Sequence, residues 1–153
     1  IRCLEDGKPV VLHGDFTGSI EEVNTSLLKL LIKAGYVPVL TSPILSFENE
    51  ALNVDHDKLA MQIATKIKAD KLVYLFEAPG LLKDFKNSAS LIKQITLKNI
   101  NETLEYAEGR MKKKVLAARW TLEQGVKKVY FADGREKNPI TRALAGKGTV
   151  ISS

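Results

Sequence analysis

Apolar residues recur along this chain with two alternating periods: every second position in short runs, every third or fourth position in longer ones. The first period marks strands and the second marks helices. Residues 8–13 and 17–23 alternate around Gly14 and Asp15, which predicts a hairpin or a pair of edge strands. Asn24 then stands where a helix cap is needed. Leu27, Leu28, Leu31 and Ile32 share one helical face, and Gly35 ends that helix before a predicted strand over residues 36–40. The stretch 41–52 is polar and broken by Pro43, so it reads as a loop or small hairpin on the sheet rim, long enough to touch a substrate. A helix over 57–69 follows, with Leu59, Ile63 and Ile67 in one stripe. After it comes KLVYLF at 71–76, apolar enough for an internal parallel strand.

The second half repeats the alternation. Residues 77–90 form a loop with a Pro79-Gly80 turn, and 91–96 a short strand. Two helices, 97–108 and 110–124, are separated by Gly109, and Gly125 closes the second. A buried strand at 127–132, a cap and first helical position at Asn138-Pro139, and a last strand at 149–151 complete the pattern. Strand and helix in regular succession predict an α/β fold: a three-layer αβα sandwich with a mainly parallel central sheet. The sequence contains no internal repeat, low-complexity segment or Pro/Ser-rich linker.

Composition narrows the function classes. With 153 residues, 44% hydrophobic and 27% charged, the chain can bury a full core, as one domain or two small ones. No apolar run approaches the roughly 20 residues of a membrane helix, and no apolar signal core follows the opening residues, so a cytoplasmic protein is expected. Cys3 is the one cysteine and belongs to no Cys/His cluster with zinc-ligand spacing, so no metal site is expected. The net charge of +5 and pI near 9.3 suit a polyanionic partner. They also support a reading of another class, a basic nucleic-acid-binding domain without catalysis. Against that reading, no exposed aromatics are interleaved with the lysines. The chain opens at Ile1 on a short strand and reads as the later part of a longer protein.

Three groups of residues carry candidate chemistry. Asn53, Asp55 and Asp57 cluster where a helix begins, where free N–H groups and the positive dipole end hold carboxylates ionised and fixed; the plain alternative is an N-cap at Asp55 or Asp57. In the run Lys112, Lys113 and Lys114, helical phase sets the three apart. Met111, Val115, Ala118 and Leu122 form one apolar stripe, Lys114 borders it, and Lys113 points almost directly away. Glu77, Ala78, Pro79, Gly80 and Leu81 follow a strand at the end where open α/β sheets hold ligands. An ordinary Pro-Gly turn explains them equally well. His56, the Lys83–Phe85 loop and the Ala132-Asp133-Gly134-Arg135 turn receive no role.

Together, LNVDHD, the Glu77–Leu81 turn, TGSIEEVN, GRMKKKVLAA and ADGREKNPI resemble the amino acid kinase family over nearly the whole chain. The similarity is strongest to the acetylglutamate kinase-like members, which phosphorylate the side-chain carboxylate of an amino-blocked glutamate or aminoadipate. The resemblance implies an ATP-dependent kinase making an acyl phosphate in lysine or arginine biosynthesis, with Mg2+ arriving on the nucleotide. It implies that Asn53 binds the amino acid, Asp57 orients catalytic lysines, Lys114 stabilises the transferred phosphoryl group, and 77–81 contact the nucleotide. Within the family, the archaeal-type branch that uses aminoadipate or glutamate on a small acidic amino-group carrier protein fits best, with free N-acetylglutamate as the alternative substrate. A homo-oligomer is expected. Two features depart from the family pattern. Glu77 and Ala78 replace its usual D/N-V pair, so the resemblance implies backbone contacts to the nucleotide at this turn. The strand with the first catalytic lysine, the glycine-rich phosphate turns and the substrate-gripping arginine do not occur in this sequence. The chain therefore reads as the end of an amino-acid-binding lobe (1–68) plus a nucleotide lobe (69–153), inactive as a piece on its own.

Overall fold

In the computed structural model, residues 2–5 and 8–11 are described as backbone and residues 16–153 in full, apart from the side chain of Arg110. Contacts group the chain into two compact units, Ile1–Leu59 and Ala60–Ser153.

In the first unit, β1 (Arg2–Glu5) and β2 (Lys8–Val11) pair antiparallel, with Arg2 opposite Val11 and Glu5 opposite Lys8. The expected hairpin between 8–13 and 17–23 is thus replaced by one that folds back on the preceding residues. The turn expected at Gly14 and Asp15 lies outside the described residues. Of 17–23, only Thr17 joins a bridge, parallel to Asn53. Helix α1 (Thr25–Lys33) begins as expected: Asn24 Oδ1 accepts the Leu27 N–H at 3.0 Å. Gly35, at φ 86°, ends it in the left-handed conformation that glycine adopts without a Cβ clash. Residues 36–40 do not form the expected strand; they have no ladder partner among the described residues, and Val37 is 86% and Val39 91% exposed. Pro38 has no N–H to give a ladder, and the remaining backbone groups need neighbours to bond, which β propensity alone does not supply. The rim stretch does hold a small hairpin, β3 (Ile44–Leu45) against β4 (Ala51–Leu52). Ser46 ties its loop by accepting the N–H groups of Glu48 and Glu50.

Helix α2 (His56–Ile67) leads to the second unit's sheet, built from β5 (Lys71–Phe76), β6 (Gln94–Thr96), β7 (Lys128–Asp133) and β8 (Thr149–Ser152) in the order β5-β7-β8-β6. The β5–β7 and β6–β8 pairs are parallel and β7–β8 is antiparallel, so the sheet is mixed and mainly parallel. Helix α4 (Gly109–Glu123) covers one face with the expected stripe: Val115 and Ala118 are fully buried and Leu122 nearly so, against Val129, Phe131 and Ile151. Helix α5 (Pro139–Leu144) covers the other through Ala143, packed with Tyr130 and Ala132. Strand β7 is therefore apolar on both faces, as a central strand between two helical layers must be.

The helix expected over 97–108 shrinks to α3 (Ile100–Thr103). Its start is delayed because the Leu97 N–H still bonds Ser152 of the sheet and Asn99 Oδ1 closes a turn on the Thr96 N–H. After Thr103 the bonds tighten: the N–H groups of Glu105 and Tyr106 reach back only three residues, to Glu102 and Thr103.

Candidate functional site

Each candidate group stands on an element whose local chemistry explains its position. Asn53 closes the rim of the first unit: its N–H donates to Phe16 O at 2.7 Å and its carbonyl accepts from Gly18 at 2.9 Å, while the residue stays exposed. Two residues on, Asp55 caps α2. Its Oδ1 accepts the N–H groups of Asp57 (2.9 Å) and Lys58 (3.2 Å), the standard N-cap geometry. Capping is thus assigned to Asp55, and Asp57, half-buried in the first turn, is held beside the positive end of the helix without serving as the cap. His56 joins the adjoining loop to this helix start, with Nε2 2.8 Å from Ser42 Oγ.

On α4 the three lysines separate as the helical phase predicts. Lys112 and Lys113 are exposed; Lys114 is half-buried. Its ammonium lies over two aromatic rings of β5, 5.3 Å from the Tyr74 centroid and 5.8 Å from that of Phe76. Phe76 is the last residue of β5, so this charge lies toward the C-terminal end of the parallel β5–β7 pair, just before the Glu77–Leu81 turn.

The turn itself has an exposed and a buried half. Glu77 is exposed, Ala78 and Pro79 are half-buried, and Gly80 and Leu81 are buried. The Leu81 N–H donates to Thr149 Oγ1 at 2.9 Å, and that hydroxyl donates onward to Ile92 O at 2.6 Å. Gly80 has φ 149°, and a Cβ there would sit 2.6 Å from Thr149 Oγ1, so this glycine serves the chain's own close approach. Gly148 answers it from the neighbouring strand's entry, where a Cβ would collide with the Phe131 carbonyl. The groups left open toward a ligand are those of 77–79.

Beyond β7, Arg135 grips Asp133 with its Nε (2.9 Å), its Nη2 (2.7 Å) and its backbone N–H (2.9 Å). The side-chain bonds, then the backbone one, pull the Asp133 carboxyl down to about 2. This pair, tied by three hydrogen bonds, accounts for the AlaAspGlyArg turn as structure. A cavity of about 300 Å³ opens beside it on the α5 face, lined by Pro79, Lys93, Asp133, Glu136, Arg142 and Lys147 among others. Neither Lys114 nor Glu77 lines it.

Sequence reasoning missed the rings under Lys114 and the Thr149 anchor behind the turn. The first had a signal: Tyr74 and Phe76 are two apart on a strand and so share a face. The second had none, because Leu81 and Thr149 meet only through the sheet.

Comparison with known proteins adds to this geometry. The model of the amino acid kinase family matches residues 2–133. A LysW-aminoadipate kinase of Thermus thermophilus is 51% identical over 99% of this chain and 57% of its own length. One of Deinococcus radiodurans is 49% identical over 99% of this chain and 52% of its own. The chain spans about half the length of these relatives. Among solved structures, N-acetylglutamate synthase of Neisseria gonorrhoeae, complexed with coenzyme A and L-arginine, superposes with a TM-score of 0.81 over 97% of this chain and 34% of its own. At 24% identity that likeness is one of fold.

Proposed function

The chain belongs to the amino acid kinase family, and from that membership we propose that the full-length protein is a cytoplasmic ATP-dependent kinase of a carrier-linked, amino-blocked aminoadipate or glutamate. The side-chain carboxylate of the substrate attacks the γ-phosphorus of ATP in line. A bond forms from carboxylate oxygen to phosphorus, the bond to the β-phosphate oxygen breaks, and the products are an acyl phosphate and ADP. Charge accumulates on the transferring phosphoryl oxygens and the leaving phosphate, and positioned cations are what lower that barrier. In this reading Lys114 supplies one such cation, Asn53 holds the amino acid, Asp57 orients catalytic lysines, and 77–81 meet the nucleotide. Within the turn, the exposed Glu77 and the half-buried Ala78 and Pro79 do so directly, while Gly80 and Leu81 set its shape. The functional lobes change over at residues 68–69, in the connection from α2 to β5.

The observation that carries the reading is Lys114: alone among its neighbours it is drawn from solvent to the C-terminal end of β5, beside the turn. The names of the relatives, which join aminoadipate to LysW, support the carrier-linked substrate. Mg2+ would come with the nucleotide. Among the described residues no group of three or more His, Cys, Asp or Glu side chains converges on a metal position.

Steady-state kinetics of the full-length enzyme test the substrate. The carrier-linked form should turn over well, with a KM that rises steeply between low and physiological salt, because the +5 charge favours docking of an acidic carrier. Free N-acetylglutamate should be poor. Good turnover of the free amino acid with little use of the carrier-linked form would reverse the assignment.

A further inference from the structure

We infer that Tyr74 and Phe76 form an aromatic shelf whose role is to position the Lys114 ammonium for phosphoryl transfer. The inference rests on the kinase reading above and adds two positioning residues to it. Successive residues of one parity on a strand face the same way, so both rings of β5 stand on the side covered by α4. There the Lys114 ammonium lies within 6 Å of both centroids, at 5.3 and 5.8 Å, the range in which a ring quadrupole attracts a cation.

The rings are themselves fixed. Phe131 of β7, fully buried, meets Tyr74 edge to face at 5.8 Å and 68°, and meets Phe76 at 5.7 Å and 70°. T-shaped packing of this kind holds each ring's orientation. A lysine stem has four rotatable bonds and a point charge at its end, so on a bare helix face its ammonium samples a wide volume. That is the state of Lys112 and Lys113, both exposed on the same helix. The shelf narrows the volume for Lys114 and leaves the charge at the end of β5, where a transferring phosphoryl group would stand. Such preorganisation acts on the rate, because an ammonium already in place costs no reorganisation at the moment of transfer.

Phe76 is the residue to test, because it is half-buried whereas Tyr74 is only 6% exposed. In the full-length enzyme, Phe76→Leu should lower kcat about tenfold with little change in the KM of either substrate. Phe76→Tyr and Phe76→Trp, which keep a π face, should restore most of the rate. In a Lys114→Ala background the same Phe76→Leu change should have almost no further effect on kcat, since it acts through the lysine. If Phe76→Leu melts too low to assay, Phe76→Met, which keeps the volume with a flexible chain, takes its place under the same criteria. Wild-type kcat in the ring-less variant, or an equal loss with and without Lys114, overturns the shelf while leaving the kinase reading intact. Full activity of Lys114→Ala alone would instead overturn that reading.

Discussion

Residues 36–40 and strand β7 are both short, largely apolar segments, yet Val39 is 91% exposed and Phe131 is fully buried. The first, YVPVL, carries Pro38, which has no N–H to give a ladder, whereas KVYFAD has no such break. They also differ in neighbours. Strand β7 has β5 on one side and β8 on the other, with α4 and α5 above and below, so its backbone groups are bonded and its side chains enclosed. Residues 36–40 have no ladder partner among the described residues, and Tyr36, Val37 and Leu40 are exposed with Val39. The contrast extends through the units: the second holds a contiguous core, whereas in the first the buried apolar side chains among the described residues are Leu28 and Val54. An apolar run becomes a strand only where surrounding elements repay its ordering. The same lesson holds for charge, since Lys113 and Lys114 are chemically identical and only the second is placed by packing.

The largest effect should come from breaking that second contrast. On the proposed kinase reading, Lys114→Ala in the full-length protein should reduce kcat by about 10²–10³-fold, the usual cost of removing one transition-state stabiliser, while Lys113→Ala stays near wild type. Equal losses would mean that the lysine run acts as a diffuse basic patch.

The first contrast predicts a stability difference. Phe131→Ala should cost about 3–5 kcal/mol, as expected for truncating a buried aromatic in a close-packed core. Val39→Ala in this chain should stay within about 0.5 kcal/mol, because little is packed against it. Denaturant unfolding of both variants measures the gap, and a costly Val39→Ala would show that the 36–40 segment is packed in solution.

The smallest effect concerns the Asp133–Arg135 pair. Its carboxyl titrates at about 2 in the folded state against an ordinary value of 3.8, so it stabilises the fold fully above about pH 4 and stops doing so as the pH falls through about 2. Arg135→Ala should return the Asp133 titration toward 3.8 and move the acid unfolding limb to higher pH. Carboxyl NMR titration reads the first and circular dichroism the second. An unmoved titration would assign the depression to other groups.

Much of the second unit was legible because its signals are local. The Lys114 phase, the Gly125 stop, the Pro139 start and strand β5 each follow from periodicity or a single special residue, and all four stand as expected. The failures lie where a distant element decides. The 97–108 helix is shortened because Leu97 is still bonded to Ser152 of β8, and 8–11 pairs with 2–5 instead of with the residues that follow it. Of the candidate site, the half-buried placement of Lys114 beside two exposed lysines could be read from helical phase, and the family could be read from its motifs. Which aspartate caps α2 could not, because Asp55 and Asp57 are equally able and only backbone geometry selects.

By itself, then, the sequence determined which residues bear the candidate chemistry and on which helical face or turn each stands, since periods of 3.6 and 2 are properties of the backbone. The tertiary structure decided what surrounds them. It set two rings of β5 beneath one lysine of three, gave the Leu81 N–H to Thr149 across 68 residues of chain, and left an apolar run facing water. Those outcomes depend on pairings between residues far apart in the chain, whose entropy of closure is met only by the assembled core.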